Sequence, residues 1–424
     1  MKKVEIQKRY YNSNQLEYVK VPLFLDKEYD HLEIKYDYKR FDDENHEINI
    51  IDIGLFDFEE KFRGWSGSNK KVLFISEFYS TPGYQKIQLS SGKWFIALGL
   101  YKITNFVDIQ ITINMFPKIR KWYFCDLHMH TQNSDGQYKT TEVIDFCKKQ
   151  HLDCIALTDH NNTEQNKEGN SDKELSIIHG MEYTNYRGHA NFFFPENKID
   201  FTLTPLSNSF NEMRDLFFEV KKQGCIISLN HIFDSNCPWL FGFEDFPFDI
   251  VEIWNGFISA DNMKAINWWH SYISKGNKLP IIGGSDTHKI GPLNTYSCPT
   301  TCVFSNSKSP NSIFDAIKRG NCTITYFIDG PKINFTIGKK IIGETITYKS
   351  NLVGSIRIEK VKKGNKVLLI SDIKTETEYL IKNSGKFDIT FSVEKRLFYR
   401  VEVYHSLDNK EMLAAMSNPI YIRQ

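Results

Sequence analysis

Neither sign of charge is in surplus: 53 basic against 52 acidic side chains leave a formal charge of +1 over 424 residues. Such a balance supplies no global field for nucleic acid or an anionic membrane, so an anionic substrate has to be attracted locally. No apolar run approaches the roughly 20 residues of a membrane span, and residues 1–9 have no apolar h-region. A cytoplasmic location is expected. Cysteines are few and mostly isolated. Of the eight, Cys125, Cys147, Cys154, Cys225 and Cys237 lie singly in apolar or element-like stretches, as buried reduced thiols do. Cys298 and Cys302 are four positions apart with no second pair to complete a zinc site, and read as strand residues. Internal repeats and low-complexity tracts are absent as well.

What the chain has is length and a change of rhythm. At 424 residues it exceeds one ordinary core, so two or three domains are expected. Residues 1–118 read as an all-β module: Val107, Ile109, Ile111 and Ile113 alternate with polar residues, and similar runs lie at 31–38, 48–55, 71–79 and 94–101. Their turn-separated spacing predicts a β-sandwich. From 119 to 330 the pattern becomes strand, loop, helix, with helices expected over 140–150, 209–222, 261–275 and 310–319. That alternation predicts a parallel sheet closed, or nearly closed, into a β/α barrel. The polar stretch 161–173 reads as a mobile loop. Residues 331–424 revert to short β-branched and aromatic runs, a second small sandwich.

Nine of the twelve histidines fall between 125 and 290, and six of them sit at predicted strand ends. Asp126-Leu127-His128-Met129-His130 follows the apolar run Trp122, Tyr123, Phe124. Residues two apart on an extended segment face the same way, so His128 and His130 project together. Asp135 sits in a Ser-Asp-Gly turn that can fold back over them. Later strand ends bring Thr158-Asp159-His160, Gly180-Met181-Glu182, Gly188-His189, Asn230-His231 and Ser285-Asp286-Thr287-His288. Six imidazoles and three carboxylates at one rim suffice for two or three divalent ions, and their mixture favours zinc, manganese or iron over magnesium or calcium. Asp159 reads as an orienting partner for a ligating histidine rather than a ligand. His151, His179, His270 and His405 lack such a context.

This ordered set of motifs resembles the PHP (polymerase and histidinol phosphatase) superfamily, and Glu252-Ile253-Trp254-Asn255-Gly256 with the flanking β modules resembles the CehA/McbA-type metallohydrolases. The resemblance implies a distorted seven-stranded β/α barrel flanked by N-terminal and C-terminal β-sandwich modules, with up to three metals. It places His128, His130, Glu182 and Asp286 around the first ion. Glu182 would bridge to a second ion held by His189 and His231, and Asp135, His160 and His288 would hold a third. The Asn230-His231-Ile232 sequence departs from the Asn-His-Pro often found there, so the following loop is expected to bend differently.

The expected activity is hydrolysis by a metal-bound hydroxide, with Glu182, Asp286 and Arg187 in the catalytic machinery. Arg187, beside His189, could clamp a phosphate. The leading substrate is a small-molecule or nucleotide phosphoester; the runner-up is a carbamate, ester or amide, and a third reading is a non-enzymatic metal-binding scaffold. Trp239, Phe241 and Trp254 read as core side chains that could also line an apolar pocket. Neither extended nucleic acid nor a membrane is expected as a partner.

Overall fold

The computed structural model describes residues 1–194, 209–244, 246–407 and 410–424. The chain divides into two compact units, Met1–Arg120 with Ser171–Lys173, and Lys121–Asn170 with Glu174–Gln424. Among the described residues no helix is long and apolar enough to cross a membrane.

The first unit holds two four-stranded antiparallel sheets. One runs Lys2–Tyr11, Phe106–Pro117, Tyr29–Asp37, Val72–Ser76; the other runs Tyr18–Leu25, Gly92–Ile103, Asn49–Phe56, Phe62–Ser66. Ile34 and Ile111 from one sheet and Ile53 and Leu98 from the other are fully buried in one shared core. The alternation read at 107–113 is thus the inward face of a sandwich strand.

The second unit is built on a continuous path of strands. The first seven, in chain order, are Lys121–Asp126, Cys154–Leu157, Ser176–Asn185, Gly188–Phe193, Ile226–Leu229, Ile250–Asn255 and Ile281–Gly284, paired in that order. Two features differ from the expected parallel barrel. The fourth strand is antiparallel to both neighbours, because Tyr186 and Arg187 join it to the third as a tight hairpin with no room for a crossover helix. Among the described residues no ladder closes the ring either. The first strand's second edge is taken by the antiparallel Thr300–Ser305, so the seventh strand finds no edge there, and the two ends meet at one isolated parallel bridge, Met129 with Thr287.

Helices Thr140–Lys149, Phe210–Lys222, Ala260–Ser274 and Pro310–Lys318 fall within a residue or two of the expected ranges. Their starts are set by side-chain caps: Ser209 Oγ accepts from the Glu212 amide while Glu212 accepts from that of Ser209, and Ser259 and Asn262 make the same exchange. The 161–173 segment contains a helical turn, Gln165–Glu168, anchored by the buried Gln165 amide donating to the Gly180 carbonyl at 2.8 Å. The C-terminal strands continue the same sheet: Cys322–Thr325 pairs with Lys410–Ser417, which leads on to Phe398–Leu407 and Lys366–Ser371. A second sheet, Lys332–Ile337, Val353–Val361 and Gly385–Ser392, packs on it through Phe335, Ile356 and Val401.

Candidate metal centre

The strand pattern explains why distant residues meet. In the parallel strands the side chains of interest follow the C-terminal ends: His128 and His130 after the first, His160 after the second, His231 after the fifth, Asp286 and His288 after the seventh. Glu182 lies within the longer third strand, bridged to His160. The fourth strand runs the other way, so His189 at its beginning arrives at the same rim.

Glu182 occupies the middle. Its Oε1 lies 3.2 Å from His128 Nε2, 3.3 Å from His231 Nε2 and 3.4 Å from His189 Nδ1. Its Oε2 lies 2.9 Å from His160 Nδ1 and 3.5 Å from His130 Nε2. Asp286 Oδ1 is 2.9 Å from His130 Nε2 and 3.3 Å from His128 Nε2. Asp135 Oδ1 closes a third corner, 3.1 Å from His288 Nε2 and 3.5 Å from His160 Nε2. Ligand atoms of His128, His130 and Asp286 fall into one group close enough to share an ion, and those of His130, Asp135, His160 and His288 into another. A third group joins His189 and His231 to Cys237.

The supports reveal which atoms are bare. His128 Nδ1 donates to Glu252 Oε2 at 2.9 Å, which leaves Nε2 as the ring atom that faces Glu182, Asp286 and, at 3.3 Å, His130 Nε2. His288 Nδ1 donates to the Asp286 carbonyl, which turns its Nε2 lone pair toward Asp135. Glu182 Oε2, Asp286 Oδ1 and His189 Nδ1 are buried with no aligned hydrogen bond. Acceptors pointed at acceptors in a buried space need protons or a cation between them. The electrostatics agree. Burial alone would push the His128, His160 and His231 imidazoles down, but the surrounding groups, chiefly Asp286 and Glu182 at His128, Glu182 at His160, and Cys237 and Glu182 at His231, hold all three above the ordinary histidine value. Burial opposes ionisation of Glu182 and Asp286, yet the imidazoles keep both well below the usual carboxylate range. The donor set therefore fits divalent cations.

Backbone geometry is adapted to this crowding. Asp286 and His231 adopt positive φ, 50° and 28°, which costs a side-chain-bearing residue on the order of 1–3 kcal/mol. Gly284 lies so close beneath the cluster that a Cβ there would meet His128 Cβ at 2.4 Å and Glu252 Oε2 at 2.6 Å. Asp126, fully buried, accepts from the Ser285 and Ser297 amides and ties the first strand's end to the loop that carries Asp286; burial pushes it up to about 6.

All nine residues expected around the metals come to this rim. Arg187 differs: it is exposed at the hairpin tip, and its carbonyl accepts from the Leu240 amide. Among the described residues Asp159 orients no histidine; it accepts from the Thr131 amide and hydroxyl and from Ser134 Oγ, fixing the loop that carries Asp135. Sequence reading gave no role at the centre to two supports and one thiol. Glu252 holds His128, and Asn255 Nδ2 donates to Glu252 Oε1 and to Asp286 Oδ2 at 2.7 and 3.1 Å. The signal was a lone carboxylate inside the apolar strand Ile250–Asn255. Cys237, expected to be a buried thiol, is partly exposed with Sγ 3.6 Å from His231 Nδ1; no spacing rule links positions six apart in a loop. Glu252→Gln should weaken metal binding roughly 10–100-fold while preserving the fold, checked by chelator competition.

Residues 126–232 match the model of the PHP domain family. No curated protein matches the chain. Among solved structures it is similar to a two-domain protein from Bacteroides vulgatus containing a predicted PHP-like metal-dependent phosphoesterase, with 20% identity over 70% of this chain and 95% of that one and a TM-score of 0.39. It is also similar to an amidohydrolase from Chromobacterium violaceum with bound sulfate and no metal, with 16% identity over 40% of this chain and 89% of that one and a TM-score of 0.30. The chain thus carries a PHP domain match across residues 126–232, a span that contains every residue of the candidate metal-binding set except Asp286 and His288.

Proposed function

We propose that this protein is a metal-dependent phosphoesterase acting on a small phosphoester or nucleotide, with two or three divalent ions of the zinc, manganese or iron type. One observation carries the reading: His128 Nε2 is surrounded by Glu182, Asp286 and His130, a buried arrangement that a cation satisfies. The two Glu182 oxygens face different imidazoles, the placement of a bridging carboxylate. His128, His130, Glu182 and Asp286 would hold one ion, Glu182, His189 and His231 a second, and Asp135, His160 and His288 a third. Ions bound there supply a water acidic enough to ionise near neutral pH and a sink for charge developing on the substrate oxygens. Asn255 and Asn230 hold the Asp286 and Glu182 carboxylates in place through their amides.

Arg187 is assigned to the substrate phosphate. Arg187→Ala should raise KM for phosphoesters roughly tenfold with kcat nearly unchanged, the mark of lost uniform binding; an unchanged KM removes the assignment. A second reading, hydrolysis of aryl carbamates or esters in the manner of the CehA/McbA type, draws on the stretch 252–256, since Glu252 and Asn255 support His128 and Asp286. A panel of nitrophenyl phosphate mono- and diesters, nucleotides and aryl carbamates separates the two. Phosphoester turnover that disappears on chelation and returns with metal is expected. Preference for carbamates favours the second reading, and full turnover by demetallated protein overturns both.

A further inference from the structure

A cavity of about 360 Å³ lies within the second unit, beside the metal centre and sharing none of its nine residues. Its size falls in the range of roughly 300–1,000 Å³ typical of small-molecule sites. The walls are apolar. Trp254, Phe257 and Ile258 come from the end of the sixth strand and the loop after it, and Tyr326, Met412 and Leu413 face them from the C-terminal part. The Trp254 indole N–H already donates to the Gly256 carbonyl at 3.1 Å, so the ring offers the cavity only its apolar surface. Cys298, also on the wall, is a thiol that burial pushes up to about 11 and keeps neutral. Phe257, another lining residue, is 38% exposed.

The polar side of the cavity has one sign. Lys362 and Lys363 line it and are exposed, and no carboxylate lies among its lining residues. Among the described residues neither ammonium has a carboxylate within ion-pair reach, while many other lysines here do, Lys360 with Asp329 and Lys366 with Glu411 among them. Asn365 fixes the third polar group. Its Oδ1 accepts from the Lys362 amide at 2.7 Å, so its Nδ2 donates to His405 Nδ1 at 2.6 Å and leaves the imidazole proton on Nε2. Burial and the Lys362 charge hold His405 below the ordinary histidine value, so it is a neutral donor rather than a third cation.

We propose that this cavity is a binding site for an aryl anion: a flat apolar body between Trp254 and Leu413, with one acidic group met by Lys362 and Lys363. An aromatic floor supplies area at low entropic cost, and the two ammonium groups select for charge. Gly256 on the wall follows Asn255, whose amide reaches Asp286, so the site adjoins the metal centre along the chain without using its ligands.

The test uses the metal-free chain of residues 1–424, so that failure of the metal reading leaves it intact. Titration calorimetry with naphthalenesulfonate is expected to give a single saturable site. The neutral naphthalenesulfonamide should bind about tenfold more weakly, as should the sulfonate to the Lys362→Gln/Lys363→Gln double variant. Inorganic sulfate should not bind measurably, and Ile258→Trp, which fills the cavity, should abolish binding. The two lysines are exposed, so the double variant remains decisive if Ile258→Trp does not fold. Absence of saturable binding, equal affinity for sulfonate and sulfonamide, or unchanged binding by the folded Ile258→Trp or by the double variant overturns the proposal.

Discussion

Glu182→Gln should lose its metal ions and cut phosphoester turnover by on the order of 10³-fold. The carboxylate is fully buried, and its two oxygens lie 3.5 Å or less from five imidazoles. An amide keeps the shape but removes the negative charge and replaces one acceptor by a donor. Breaking a buried charge constellation from one side costs about 3–5 kcal/mol where the remaining charges cannot adapt. Here the imidazoles can lose their protons, so the larger effect falls on metal retention rather than folding. Metal content per chain and kcat, measured on the same preparation, check this. A variant that retained both would remove Glu182 from the bridging position.

The stabilisation gained on adding metal is expected to grow steeply as pH rises. Without ions, His128, His160 and His231 are held above the ordinary histidine value. Their contribution to stability is full below the unfolded histidine pKa and is lost as pH rises through the raised folded values. Glu182 and Asp286 are held below the carboxylate range. Their contribution is full above the unfolded carboxylate values and is lost only as pH falls through the depressed ones. The metal-free cluster is therefore weakest on the alkaline side, where bare imidazoles face ionised carboxylates. A divalent ion needs that same unprotonated form, so uptake releases protons and affinity climbs with pH. At a thousandfold excess over Kd, binding adds about 4 kcal/mol. Melting curves with and without metal from acid to alkaline pH should show a difference that widens toward alkali; a constant difference would mean that the imidazoles carry no proton in the free protein.

Much of this centre could be read from the chain because its residues are tied to strand ends, and strand ends are marked by apolar runs giving way to polar residues. His128 and His130 after the run 122–124, or Asp286 and His288 after Ile281–Gly284, need only that rule. The sandwich strands of the first unit were legible for a similar reason, since one wet face leaves a period of two. What escaped depends on direction or on long-range pairing. Nothing in Gly188–Phe193 says that it runs antiparallel; that follows from a connection too short for a helix. Ring closure was expected from the number of strands, but Thr300–Ser305 competes for the first strand's edge, and hydrophobic pattern does not disclose which partner wins. The stretch from Glu252 to Gly256 stood out in the sequence, but the role of Glu252 was hidden because a carboxylate in an apolar strand has meaning only once His128, 124 positions earlier, is seen beside it.

The ladder between Cys322–Thr325 and Lys410–Ser417 bears on where this protein can be cut. Ile324 is fully buried, with Met416 opposite it, and Thr325 faces Ala415. Truncation after residue 330 would leave a bare, sticky margin of apolar side chains and unmatched amides, a surface prone to self-association. The last ninety or so residues are thus less an appendage than the rind of the second unit, and a shortened chain should be recovered mainly as aggregate.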